Sequence, residues 1–149
     1  MTTGASPPTV DATPAEVVHS FLLALQAQDV EGAIALLADD VRWINVSLPT
    51  IQGRNVARVL RALEGRSGFR VHFFHTATEG EVVLTERADA IRLGRFESRA
   101  WVWGRFEVRD GRIAIWRDSF DWLDFTVGVL RGAAGVVLPA LNRRWPGER

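Results

Sequence analysis

With 149 residues, 47% of them hydrophobic, the chain can bury one well-packed core and is too short for two. Eighteen basic residues, every one an arginine, balance eighteen acidic ones and are interspersed with them, so neither nucleic acid nor an anionic membrane is indicated as the main partner. The absence of cysteine removes disulfides, thiolate nucleophiles and cysteine-held metals, and is compatible with a reducing cytoplasm.

The opening MTTGASPPTVDATP has neither the basic start nor the apolar run of a secretory signal. It reads as a disordered lead-in over residues 1–14, ahead of one domain over residues 15–145. In PAEVVHSFLLALQAQD, Val17, Phe21, Leu22 and Leu25 recur at helical spacing behind Pro14, a residue suited to a helix's first turn. The pattern then predicts a shorter helix in VEGAIALLADD, a strand in VRWINVSL and a third helix in GRNVARVLRALEG. In that third helix Val56, Val59, Leu60 and Leu63 form the inner face, and Arg54, Arg58 and Arg61 a solvated outer stripe.

Four strands follow, at about Phe69 to Ala77, Val82 to Leu93, Glu97 to Val108 and Arg112 to Phe120, with turn signals in TEGE, LGRF and RDGR between them. Helices first and an antiparallel meander afterwards make an α+β arrangement, in which the helices cover one face of a curved sheet and a pocket forms between the layers. A last helix begins near Trp122, with Asp121 as its cap. The apolar run TVGVLRGAAGVVLPALNRRW is interrupted by Arg131 and Pro139 and is too short between them to span a bilayer. It is expected to close the pocket or pack on a partner subunit; peripheral membrane contact is disfavoured.

One strand breaks the ordinary pattern. Side chains repeat with period two, so Val83, Thr85, Arg87, Asp89 and Ile91 share one face, and a charge pair there is either an idle surface salt bridge or the polar wall of a cavity. In GRIAIWRDSFD the same count puts Ala114, Trp116, Asp118 and Phe120 on one face, so Asp118 stands among apolar neighbours.

These residues resemble the limonene-1,2-epoxide hydrolase family, from about Pro14 to the helix after Asp121. The resemblance is carried by LTERADAI, WIN and GRIAIWRDSFD. It implies a cone-shaped fold of the NTF2 and SnoaL type, a deep apolar pocket, a homodimer, and a catalytic triad at Arg87, Asp89 and Asp118. It also implies a water-holding pair at positions 43 and 45. The second is Asn45; the first is a tyrosine in the family and Trp43 here, in a chain with no tyrosine at all. An indole N–H can only donate, so Trp43 is expected either to give one hydrogen bond to the water or to pack as pocket wall. Ile91, Trp116, Phe120 and Phe125, with Ala100 and Val102 by resemblance, are expected to line the pocket, leaving Trp101, Trp103 and Arg105 on the outer face.

Opening an epoxide with water needs a base for the water and an acid for the departing oxygen, a task two carboxyl groups can divide. Close together in an apolar pocket they do not both ionise comfortably, and a neighbouring arginine steadies the one that does. The expected division makes Asp89 the base, Asp118 the protonated acid and Arg87 the link that orients both, acting on a hydrophobic terpene-like or lipid epoxide. A SnoaL-like cyclase or isomerase and a non-catalytic binder of apolar ligands are the alternatives. No cofactor and no metal are expected. His72 and His75 fall on opposite faces of their strand without an acidic cluster, and RGAAG lacks the lysine and spacing of a phosphate loop.

Overall fold

A computed structural model describes residues 12–147, so the expected lead-in falls, up to residue 11, outside the described residues. In chain order the elements are α1 (Pro14–Gln26), α2 (Val30–Ala35), β1 (Leu37–Asn45), β2 (Ile51–Gln52), α3 (Arg54–Leu63), β3 (Gly68–Glu79), β4 (Val82–Leu93), β5 (Phe96–Arg109), β6 (Arg112–Ser119) and α4 (Trp122–Gly135). A 3-10 turn follows at Pro139–Leu141. The six strands form one sheet in the order β2-β1-β6-β5-β4-β3, antiparallel throughout except where β1 lies parallel to β6.

α1 starts where its sequence says it should. Thr13 and Glu16 form a reciprocal cap: Glu16 Oε2 accepts from the Thr13 backbone at 2.7 Å, and Thr13 Oγ1 accepts from the Glu16 backbone at 3.3 Å. The last two residues of the expected lead-in, Thr13 and Pro14, thus belong to the helix start. The helix buries Val17, Val18, Phe21 and Leu22 against the sheet, and Val41, Val83, Phe106 and Ile113 complete the same core.

Two local readings are corrected. The short second helix does not run through VEGAIALLADD but ends at Ala35, and Leu37 already pairs with Ile113 of β6. A strand places Leu37 and Val41, both buried, in the core, and this tertiary pairing overrides the weak helical pattern of LLADD. The sheet is likewise no simple meander: β1 docks beside β6 in parallel, so Trp43 pairs with Trp116 and Asn45 with Asp118.

β6 pairs with β5 only from Trp103 onward, which leaves the first half of β5 with an open edge. α4 covers it. Asp121 caps the helix by accepting from the backbones of Leu123 and Asp124, and Gly128 and Gly132 lie directly on the β5 backbone. A Cβ on Gly128 would stand 2.6 Å from the Arg99 carbonyl oxygen, and one on Gly132 2.5 Å from that of Glu97. Gly128→Ala should therefore lower stability by about 1–3 kcal/mol, as overpacking against an unyielding backbone does, read as a fall of several degrees in Tm. An unchanged Tm would mean that α4 does not hold this contact in solution.

Candidate active site

β4 supplies the polar centre. Its alternation turns Val83, Thr85, Arg87 and Asp89 inward, and Arg87 is fully buried, 0% exposed. A guanidinium cut off from water needs acceptors, and Arg87 has them on three sides. Nη1 donates to Thr85 Oγ1 at 2.9 Å, Nε to both oxygens of Asp89 at 2.9 and 3.1 Å, and Nη2 to Asp118 Oδ1 at 2.6 Å. The charged carbon lies over the Phe106 ring, 5.7 Å from its centroid.

Arg87 and Asp118 stand on β4 and β6, with β5 between them. The β5 residue in register with both Thr85 and Asp118 is Gly104. A Cβ there would lie 2.6 Å from Thr85 Oγ1 and collide with Arg87 Nη1. Glycine leaves open the lane by which the guanidinium crosses β5 to reach Asp118.

Electrostatics acts strongly on Asp89 and Arg87. Burial, opposed by Arg87 and reinforced by the charge of Asp118, pushes the Asp89 carboxyl up to about 6. Burial works against the charge on Arg87 as well. The carboxylates of Asp118 and Asp89 more than offset it, so the arginine is held above its ordinary value and stays cationic. Asp118 has a second donor of its own, Trp116 Nε1, at 2.7 Å from Oδ2. Both Asp118 oxygens thus accept from separate donors, whereas Asp89 shares the single N–H of Arg87 Nε.

These groups meet in the wall of a cavity of about 500 Å3 between the sheet and the helices. Trp43, Asn45, Asp89 and Asp118 line it together, and Arg87 stands behind that wall. The residues expected to line a pocket, Ile91, Ala100, Val102, Trp116, Phe120 and Phe125, all do so. Leu25 of α1, Leu60 of α3 and Val129 of α4 extend the apolar surface over the remaining sides. A second groove of about 570 Å3 runs along α4 and the 3-10 turn, between residues such as Leu130, Arg131 and Leu141, but among the described residues no carboxyl group lines it.

Of the two places expected for Trp43, the geometry is that of pocket wall. Its indole stacks on that of Trp116, with ring centroids 4.3 Å apart and planes 9° from parallel, and its Nε1 is buried with no hydrogen-bond partner. An N–H without accessible surface has no room for a water. Three participants escaped sequence reasoning: Thr85 as third acceptor of Arg87, Gly104 as the gap, and Trp116 as a donor rather than mere lining. A glycine in mid-strand was the one visible signal. Nor do the carboxylates form a cation site, since a divalent ion placed between them would face the fixed charge of Arg87.

A family profile described as the limonene-1,2-epoxide hydrolase catalytic domain matches residues 12–131. The chain is 44% identical over 126 residues to the Mycobacterium tuberculosis protein named epoxide hydrolase EphG, covering 84% of this chain and 85% of that one. Its fold superposes with a TM-score of 0.85 on the structure of an M. tuberculosis LEH-like epoxide hydrolase, at 42% identity and covering 93% of this chain and all of that one. An NTF2-like protein from Burkholderia xenovorans LB400 shares the fold at a TM-score of 0.61 and 19% identity, covering 78% of this chain and 95% of that one. A buried arginine joining two carboxyl groups at the wall of a largely apolar cavity thus sits in a sequence matched over most of its length, and the chain belongs to the limonene-1,2-epoxide hydrolase family of enzymes.

Proposed function

We propose that the protein adds water to a hydrophobic epoxide, giving a vicinal diol in a single step without a cofactor, by acid–base catalysis at Asp89, Arg87 and Asp118. The observation that carries this reading is the buried Asp89–Arg87–Asp118 chain opening onto a largely apolar cavity. A single proton shared between two carboxyl groups beside one guanidinium leaves the cluster neutral, which suits a low-dielectric wall.

The roles in this proposal reverse those expected from the sequence. Asp118 is the base: both its oxygens accept from donors, and its partner across the parallel ladder is Asn45, so a water between them can give one hydrogen to the carboxylate and one to the Asn45 carbonyl. Asp89 is the acid, because its carboxyl holds its proton to about pH 6. As the water oxygen bonds to a ring carbon, its proton passes to Asp118, the ring C–O bond breaks, and the departing oxygen takes the proton of Asp89. No bond to the enzyme forms, and exchange of one proton with solvent restores the starting state. Arg87, held by Thr85, fixes the separation of the two carboxyl groups and stays charged throughout.

The test is a panel of terpene, aryl and lipid epoxides in oxygen-18 water, with diols weighed by mass spectrometry after a single turnover with enzyme in excess. One heavy oxygen per diol is expected, with full activity after EDTA. Light oxygen carried from a carboxylate would overturn the direct attack, and loss with chelator restored by a metal would overturn cofactor independence. No diol from any epoxide leaves an apolar-ligand binder.

We also infer a homodimer. Support comes from the outer sheet face, where Phe74 stacks on Trp101 at 4.4 Å and Trp103 and Leu84 are half exposed. Mass in solution by light scattering tests it. Among the described residues no helix is long and apolar enough to cross a membrane.

A further inference from the structure

Trp43 lines the cavity, yet its only polar atom faces neither solvent nor an acceptor. What the ring does touch is Trp116. The parallel ladder sets residues 43 and 116 side by side, two residues from the Asn45–Asp118 pair and on the same face, and at that spacing two indoles with similar rotamers stack face to face. Phe21 of α1 meets Trp116 edge-on, with centroids 4.9 Å apart and planes at 77°. The Trp116 indole thus packs on two rings at once, one parallel to it and one nearly perpendicular, a packing that restricts both its side-chain torsions. Held in this way, Trp116 directs Nε1 at Asp118 Oδ2.

We propose that Trp43 is a positioning residue of the reaction: its ring, acting through Trp116, holds the Asp118 carboxylate in the orientation from which it takes the water's proton, and its own N–H takes no part. This rests on the hydrolase reading above and assigns the water-holding task to Asn45 and Asp118 alone. Without the stack, Trp116 can turn about its torsions, its donor leaves Oδ2, and that lobe of the carboxylate is free to swing. Attack geometry is then reached less often, a loss that falls on kcat and not on the binding of an apolar substrate.

Three variants separate ring from N–H. Trp43→Phe keeps a flat ring and removes the donor; Trp43→Met keeps most of the volume and removes the stack; Trp43→Leu is a second unstacked form in case the first folds poorly. The structural readout is the Trp116 indole N–H in proton–nitrogen spectra, where a hydrogen bond protects against exchange with water. The expected result is protection in the parent and in Trp43→Phe, and at least tenfold faster exchange in Trp43→Met or Trp43→Leu. In kinetics, kcat of the unstacked variants should fall at least tenfold below that of Trp43→Phe, with KM within threefold. Unchanged protection in both unstacked variants would overturn the proposal, as would a Trp43→Phe enzyme as slow as they are, since the N–H would then be the working part. The exchange measurement needs no turnover, so a parent that opens no epoxide defeats the hydrolase reading while the stack is still judged by the spectra.

Discussion

Asp118→Asn and Asp89→Asn should each cost about 10²–10⁴ in kcat/KM, the range general acid–base catalysis supplies, while leaving different pH profiles. In the parent the acid works only while Asp89 holds its proton, so kcat/KM should fall about tenfold per pH unit above about 6. An apolar substrate that expels water from the cavity disfavours the charged carboxylate further, which puts the alkaline limb of kcat above that of kcat/KM. Asp118→Asn should keep the alkaline limb in its residual activity. Asp89→Asn should lose it, because an amide has no proton to give up at that pH. An alkaline limb that persists in Asp89→Asn and vanishes in Asp118→Asn would return the roles to the order expected from the sequence.

The same carboxyl marks the protein's stability. Between about pH 4 and 6 the folded chain keeps on Asp89 a proton that the unfolded chain has already released, so raising the pH through this window favours unfolding. The contribution is fully present below the ordinary aspartate range and is lost as pH rises through about 6. A shift of roughly two pK units corresponds to about 3 kcal/mol. Asp89→Asn lacks this dependence, so urea unfolding at pH 4.5 and 7.5 should show the variant gaining on the parent by up to that amount at the higher pH. A difference that stays flat across the window would mean that Asp89 titrates at its ordinary value and carries no proton to give near pH 6.

What could be read without coordinates followed from periodicity within single strands. The count of two placed Arg87 with Asp89 and Trp116 with Asp118, leaving open whether that face met solvent or a cavity; Asp89, Trp116 and Asp118 line the cavity. What could not be read lies across strands. Alternation gives a face but not a register, so the mid-strand glycine of β5 hinted at a gap without showing that Gly104 stands between Thr85 and Asp118, and nothing in WIN announced that β1 would pair with β6 in parallel. The division of acid and base proposed above could not be read from the sequence for the same reason. It depends on how many donors reach each carboxyl, and the donor that distinguishes Asp118 is Trp116, which alternation alone presents as lining. The end of α2 was missed because LLADD carries no stop signal; only its partners in β6 make it a strand.

Gly104→Ala should be as damaging as removing a catalytic group, although residue 104 has no side chain to do chemistry. Its Cβ would enter the lane now filled by the guanidinium, 2.6 Å from Thr85 Oγ1 and 2.7 Å from the Phe106 ring. Backbone on both sides is tied into ladders with β4 and β6, so β5 cannot simply step away. The cheapest relief is for Arg87 to withdraw from Asp118, which leaves a buried ion pair broken on one side, at about 3–5 kcal/mol. That is a large share of the about 5–15 kcal/mol that holds a domain of 149 residues folded. The fold is therefore expected to lose about 6–20 °C in Tm, by roughly 2–4 °C per kcal/mol, and kcat/KM should fall at least 10²-fold because the spacing of the two carboxyl groups is lost. If the alanine variant does not accumulate, the Arg87→Met background gives the same information: with no guanidinium to obstruct, the added methyl should cost far less than in the parent, a coupling above about 1 kcal/mol in a double-mutant cycle by urea unfolding. Equal costs in the two backgrounds would show that the gap at Gly104 serves the β5 backbone and not the reach of Arg87.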